Sequence, residues 1–295
     1  MVVLLILGLA CRPLAGPTAS SDPRMTVSLL PATLRGLSGL TVDEAGRLWA
    51  VTEREPTLVP LRLDGNRVVE DGAPIPVAGW RVGSKDAVDA ESIAWVGPGR
   101  FALGAEPRWT GDRDNDSVIE VSLLNGVATV TGAREVPYAP FAVRAEANRG
   151  LEGLAATLDV LVASAETVVT TGSGRDALLW RVPRDGVVTT ARLRLTSATG
   201  KLSDIAARDD GAVTHLLAIE RHYEVSRLVA ADVTWGRAEA SPARVVRDLG
   251  AVLAPVPNLE GIAWLADGRV VLIADNDSGE RPGPVVAVVI AGLDP

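Results

Sequence analysis

Short apolar runs rich in Val, Leu, Ile and Trp alternate with Gly- and Asp-bearing turns along most of the chain. Runs of five to eight residues bounded in this way predict β-strands, and no long stretch carries the period of an amphipathic helix. The runs recur in units. Five strings, Leu37-Ser38-Gly39-Leu40, Ala90-Glu91-Ser92-Ile93-Ala94, Leu151-Glu152-Gly153-Leu154-Ala155, Ser203-Asp204-Ile205-Ala206 and Leu259-Glu260-Gly261-Ile262-Ala263, put Ser38, Glu91, Glu152, Asp204 and Glu260 at steps of 53, 61, 52 and 56 residues. A turn and a second apolar run follow each string. That run ends in an acid, Glu53, Glu106, Glu166, Glu220 or Asp275, 14 to 16 residues after the marked position. Further turns at Asp64-Gly65, Asn125-Gly126 and Asp185-Gly186 have the composition of tight β-hairpins. Four strands in a unit of about 55 residues match a β-propeller blade.

Counting units predicts an all-β fold, a β-propeller of five four-stranded blades, with a sixth sheet hidden in the 61-residue unit as the alternative. The last unit ends after a third strand, Val285 to Ile290, whereas Met25 to Leu30 is a spare strand ahead of the first. Pairing the two closes the ring and removes exposed sheet edges. Residues 25–295 are thus expected to form a single propeller domain, preceded by a targeting segment and tether over 1–24. Val2 to Ala10 is almost wholly apolar yet too short to cross a bilayer, which takes about 20 residues. It reads as the core of a secretory signal. Gly8-Leu9-Ala10-Cys11 resembles a bacterial lipobox, which implies lipidation at Cys11; otherwise Cys11 is a small apolar residue beside the signal. Arg12 to Arg24 is rich in Pro, Ser, Gly and Ala, as a flexible tether is. The expectation is an exported protein, periplasmic or held on a bacterial membrane through that lipid alone.

In a propeller the innermost strand of each blade lines a central channel and the second strand returns beside it. Repeat positions about 15 residues apart therefore fall on one rim. This gathers nine carboxylates at one mouth: the inner Glu91, Glu152, Asp204 and Glu260, with Ser38 in the fifth place, and the outer Glu53, Glu106, Glu166, Glu220 and Asp275. Like charges so close raise one another's pKa and call for bound cations or basic side chains. One Cys and two His in 295 residues exclude clustered zinc and iron–sulfur sites, and hard oxygen ligands suit calcium or magnesium. The metal candidates are Glu53, Glu91, Glu106, Glu166, Asp204, Glu220, Asp275 and Asp277. Two acidic loops, Asp112 to Asp116 and Asp275 to Glu280, resemble calcium loops without the spacing of an EF-hand.

A net charge of -8 argues against a nucleic-acid partner. Arg54, Arg149, Lys201 and Arg221 lie close to the repeat acids and suit an anionic small-molecule substrate, phosphate above all. Glu152 and Glu260 are the candidate catalytic carboxylates. No serine triad is readable, because neither Gly172-Ser173-Gly174 nor the sequence around Ser38 makes a nucleophile elbow. The alternative for each inner acid is bracing, accepting backbone N–H groups from the next blade, since each blade meets its neighbour in the same way.

Taken together, Asp89-Ala90-Glu91, Asn148-Arg149-Gly150-Leu151-Glu152-Gly153-Leu154, Ile219-Glu220-Arg221, Asn258-Leu259-Glu260-Gly261-Ile262 and Ala274-Asp275-Asn276-Asp277 resemble the phytase-like domain, also called the esterase-like activity of phytase family. The resemblance spans about residues 35 to 292. It implies an exported propeller that hydrolyses phosphate esters and, by analogy with β-propeller phytases, depends on calcium. One departure is Ala90-Glu91-Ser92, where the family tends to carry Pro-Glu-Gly. Two functional expectations follow. One is a monomeric, calcium-dependent phosphoesterase; the other is a non-catalytic, lipid-anchored propeller that binds a ligand or a protein.

Overall fold

The computed structural model describes residues 18–80, 88–157, 160–276 and 284–293. The repeats fold as predicted into strands, and the described residues contain no α-helix, only a single 3-10 turn at Ala139–Phe141. In the third unit Leu151–Thr157, Val160–Thr171, Gly174–Pro183 and Thr189–Arg194 pair antiparallel in chain order. The fourth unit repeats this with Lys201–Asp209, Thr214–His222, Val225–Val233 and Arg244–Asp248. In the second, the strands are Val88–Gly97, Arg100–Pro107, Asn115–Leu124 and Val127–Pro137. The first holds Leu37–Val42, Leu48–Thr52 and Thr57–Asp64, with Arg67–Glu70 outside them. A strand the repeat pattern does not announce, Ile75–Ala78, pairs with Thr57–Asp64 and, in parallel, with Val127–Pro137, so the first two sheets are joined.

Ring closure follows the expected route. Met25–Leu30 runs antiparallel to Val285–Ile290, completing the fifth sheet outside Asn258–Trp264 and Val270–Asp275. The five inner strands pack side by side in chain order, and the fifth also lies against the first. Asn276 adds a tie across this closure, its Oδ1 accepting the Gly36 N–H at 3.0 Å. Each sheet buries both faces, which is why strands such as Leu48–Thr52 are apolar along their length rather than alternating. The core lies in five seams, one between each pair of neighbouring sheets. Hairpin chemistry is also as read: Asn125 and Gly126 both adopt positive φ, 52° and 78°, as a primed turn requires.

One irregularity recurs in every unit. Where the inner strand pairs with the second, the register slips between Leu37 and Gly39, Ala90 and Ser92, Leu151 and Gly153, Leu202 and Asp204, and Leu259 and Gly261. The extra residue of each bulge is Ser38, Glu91, Glu152, Ser203 or Glu260. The next residue faces the crowded centre of the ring. A Cβ on Gly39 would stand 2.7 Å from Ser92 Cα, and one on Gly261 would stand 2.6 Å from Ile273 Cγ1. Glycine there lets inner strands approach.

This register corrects two of the predicted mouth acids, both in the fourth unit. Ser203, not Asp204, is the bulge residue, and its Oγ donates to Leu259 O at 2.9 Å. Asp204 takes the central position that is glycine in three other units. Its carboxylate accepts backbone N–H bonds from Ile205 and Ile262 at 2.8 Å, from Leu154 at 3.4 Å, and from Leu40. Burial raises its pKa well above the usual range, while these donors pull it down. Likewise Leu202 pairs with Glu220, whereas the corresponding Leu151 pairs with Ala165. Glu220 therefore points away from the channel and binds Thr196 N at 3.1 Å and Ser197 N at 2.9 Å. Arg221, opposite Lys201, holds the outer position instead.

Asp204 thus staples four inner strands at the centre of the ring. Replacing it with Ala leaves several buried N–H groups without an acceptor, and each such group costs about 1–3 kcal/mol. Asp204→Ala is expected to lower unfolding stability in urea by about 3 kcal/mol or more, and Asp204→Asn, which keeps one acceptor oxygen, by less. Equal, small losses in both variants would contradict the staple.

Candidate functional site

The bulges aim Glu91, Glu152 and Glu260 into a cavity of about 680 Å³ at one mouth of the ring. The same cavity brings together the predicted Glu53, Arg54, Glu106, Arg149, Glu166, Lys201, Arg221 and Asp275. Asp204 and Glu220 lie outside it for the reason given above. Asp277 and Cys11 lie outside the described residues. Ser38 also reaches the cavity, and its Oγ donates to Ala90 O, as Ser203 does to the equivalent carbonyl in the fifth unit.

Charge is segregated across the cavity. On the side of the first two units, Glu53, Asp89 and Glu91 place carboxylate oxygens within 4.8 Å of one another. Burial raises the Glu91 pKa well above the usual range, and the charges of Glu106, Glu53 and Asp89 add to this. Asp89, which the sequence reading passed over, is itself gripped by Arg108, with Nε donating to Oδ2 at 2.8 Å. Its signal was its place two residues before Glu91. Glu106 is 1% exposed and its pKa is raised to about 8. Burial is the main cause, opposed by the Gly150 N–H that its carboxylate accepts and reinforced by Glu166 and Asp116.

Cations line the other side. Lys201 is ion-paired with Glu166, and Arg221 with Glu260. Asn258 bridges the second pair, accepting from Arg221 Nη1 at 2.7 Å and donating to Glu260 Oε1 at 2.9 Å. Burial raises the Glu152 pKa well above the usual range, and the Glu166 charge raises it further. Burial also opposes the charge on Glu166, but hydrogen bonds from Glu152 and Lys201 outweigh it and lower its pKa. The two shifts run in opposite directions, which makes Glu152 the donor and Glu166 the acceptor of the hydrogen bond between them. Glu260 is raised by burial, with Arg221 and Lys201 pulling the other way, and its Oε2 is buried without a hydrogen-bond donor. Arg149, paired with Glu146 at 2.7 Å, and Arg175, donating to Thr199 O at 2.6 Å, add positive charge at the entrance. Arg175 sits beyond the repeat strings, which is why spacing did not flag it.

The Asp112 to Asp116 loop is corrected from a candidate calcium loop to an arginine-braced one. Asp112 and Asp114 each receive Arg144 at 2.8 Å. Asp116 binds Arg113 Nε at 2.7 Å and the Tyr138 hydroxyl at 2.7 Å. Arg113 also donates to Glu146 O at 2.8 Å, so this buried network holds the segment that carries Arg149. Taken as a whole, the cavity can hold a hard cation on its acidic side and an anion on its basic side, with a protonated carboxyl between.

A family model described as phytase-like, esterase-like activity of phytase, matches residues 32–278. Among curated proteins none matches the sequence. Among solved structures, the chain is similar to the PQQ-bound aldose sugar dehydrogenase of Streptomyces coelicolor, at 11% identity and a TM-score of 0.44, over 92% of this chain and 99% of that one. It is also similar to the iodide and calcium structures of a Trichoderma reesei carbohydrate-active enzyme of family AA12. These have 10% and 9% identity and TM-scores of 0.48 and 0.46, and both cover 93% of this chain and 97% of theirs. Such identities are too low to transfer an activity.

The raised carboxyls give the cavity a pH signature. Glu106 has an ordinary pKa of 4.5 and a folded-state value of about 8, so between the two the folded protein holds a proton that the unfolded chain has released. Its contribution to stability is greatest below the unfolded value and is lost as pH rises toward 8. Urea midpoints measured in chelator are expected to fall between about pH 5 and about pH 8, and Glu106→Gln is expected to flatten that fall. An unchanged slope in the variant would refute the assignment.

Proposed function

Because the chain belongs to the phytase-like family, we propose that it hydrolyses phosphate esters at the acidic mouth and that calcium supports the reaction. The observation that carries this reading is the gathering of opposite charges around one cavity, with Glu53, Glu91 and, behind them, Asp89 on one side and Lys201, Arg221, Arg149 and Arg175 on the other, although Arg54 also stands beside Glu53. The acidic trio offers calcium hard oxygen ligands, with Asp89 shared with Arg108; burial and then the charges of Glu106, Glu53 and Asp89 raise the Glu91 pKa, and a cation bound here would lower it. A calcium ion held by Glu53, Asp89 and Glu91 supplies charge neutralisation for phosphate oxygens and a lowered pKa for bound water.

The chain's own residues do the rest. Lys201 and Arg221 turn from their carboxylate partners toward the phosphate oxygens and orient the ester. Arg149 and Arg175 attract the anion at the entrance. A water attacks phosphorus and the P–O bond to the alcohol breaks. Glu152 gives its proton to the departing alcohol oxygen, and Glu260, whose Oε2 is without a donor, takes the proton of the attacking water. The proton taken up by Glu260 returns to Glu152 through water in the cavity, and this restores the starting state, in which Glu152 donates to Glu166. Export is part of the same proposal. In that reading a lipid at Cys11 holds the protein on the membrane.

Turnover of p-nitrophenyl phosphate and of phytate, followed with added calcium and with chelator, tests this reading. Calcium-dependent phosphate release is expected, lowered at least a hundredfold by Glu152→Gln with the melting temperature kept. If chelation lowers the melting temperature while no ester is turned over, the mouth is a binding site with a structural ion and the hydrolase reading fails.

A further inference from the structure

A second cavity, of about 290 Å³, opens at the rim opposite the mouth, in the seam between the second and third units. Its origin lies in the repeat. Four residues after each bulge, the inner strand points into the seam with the preceding unit, and the residues there are Val42, Trp95, Ala156, Ala207 and Trp264. Trp95 and Trp264 fill their own seams. Ala207 is accompanied by Trp235, and Val42 by Leu63. Around Ala156 the companions are only valines, Val96 and Val182, which line the space without filling it. The aromatic residues of its seam, Tyr138, Phe141 and Trp180, stack edge to face on one another, and Trp180 Nε1 donates to Pro137 O at 2.7 Å at the mouth end. The space that an indole takes in two other units is left open here.

The walls of this space define what fits it. Phe101, Val121, Leu161 and Val182 make a buried apolar floor. Arg134 spans the seam, bonded to Glu120 Oε1 at 2.7 Å and to Pro183 O at 2.9 Å, and is neutralised there. Arg100 and Arg184 stand exposed at the entrance, and neither forms an ion pair among the described residues. A void of about 150 Å³ holds one benzene ring, so this one has room for two fused rings. An apolar floor with two uncompensated guanidiniums at its edge complements an amphiphilic anion. We propose that this cleft is a second binding site, separate from the mouth, for a small carboxylate with a flat two-ring apolar body.

Calorimetric titration of the full chain with 2-naphthoate tests the proposal. The account predicts one equivalent bound with a Kd below about 1 mM, and at least tenfold weaker binding of the neutral 2-naphthamide. Ala156→Trp, which restores the indole of the other units, and Arg184→Glu, at an exposed hairpin where folding is not at stake, each weaken 2-naphthoate at least tenfold. Lys201→Met at the mouth leaves it unchanged. Absence of binding, equal affinity for the amide, or full affinity in Arg184→Glu would overturn the site.

Discussion

Each inner strand carries one residue more than its partner can pair, and that single bulge organises the rest of the molecule. A regular strand would send alternate side chains into the two flanking seams, where only apolar groups are tolerated. The bulge breaks this alternation once per unit. It turns Glu91, Glu152 and Glu260 out of the seams and into the channel mouth, and in the first, third and fifth units it sets Gly39, Gly153 and Gly261 against the backbone of another inner strand. Without it the acids would stand in the apolar seams, at a cost no packing could offset.

Crowding carboxylates at one mouth has a consequence that runs through the electrostatics. Burial and mutual repulsion hold Glu91, Glu106 and Glu152 in their neutral form, while Lys201 and Arg221 keep Glu166 and Glu260 within reach of charge. These opposed shifts are what the proposed cation on one side and anion on the other would act on. The fourth unit supplies most of the basic charge because its register differs. Arg221 and Lys201 stand where the other units place an acid and its partner, and Asp204 takes a glycine position to become the central staple.

Much of this was legible in the sequence. The strand-rich repeat, the closing strand Met25–Leu30 and the mouth residues Ser38, Glu53, Glu91, Glu106, Glu152, Glu166, Glu260 and Asp275 follow from a spacing that survives because each unit must meet its neighbour in the same way, and Arg54, Arg149, Lys201 and Arg221 from their nearness to those acids. What spacing could not convey was a shift of one residue. Ser203-Asp204 reads like Ala90-Glu91, and only the strand register separates the bulge from the residue after it. A slip of one places a side chain on the opposite face, so Glu220 passed for a channel acid while being buried under Thr196 and Ser197. Asp89 and Arg175 were hidden for another reason, since they belong to the mouth through position in space and not through the repeat.

In the proposed hydrolase the two halves of the mouth act together, a cation on the acidic trio strengthening the hold of the basic side on phosphate. Binding of inorganic phosphate, titrated calorimetrically with and without saturating calcium, measures that coupling directly. The account predicts that calcium tightens phosphate binding at least tenfold and that Glu53→Gln with Glu91→Gln abolishes the gain while leaving the weak, calcium-free affinity in place. Equal phosphate affinity with and without calcium would contradict it.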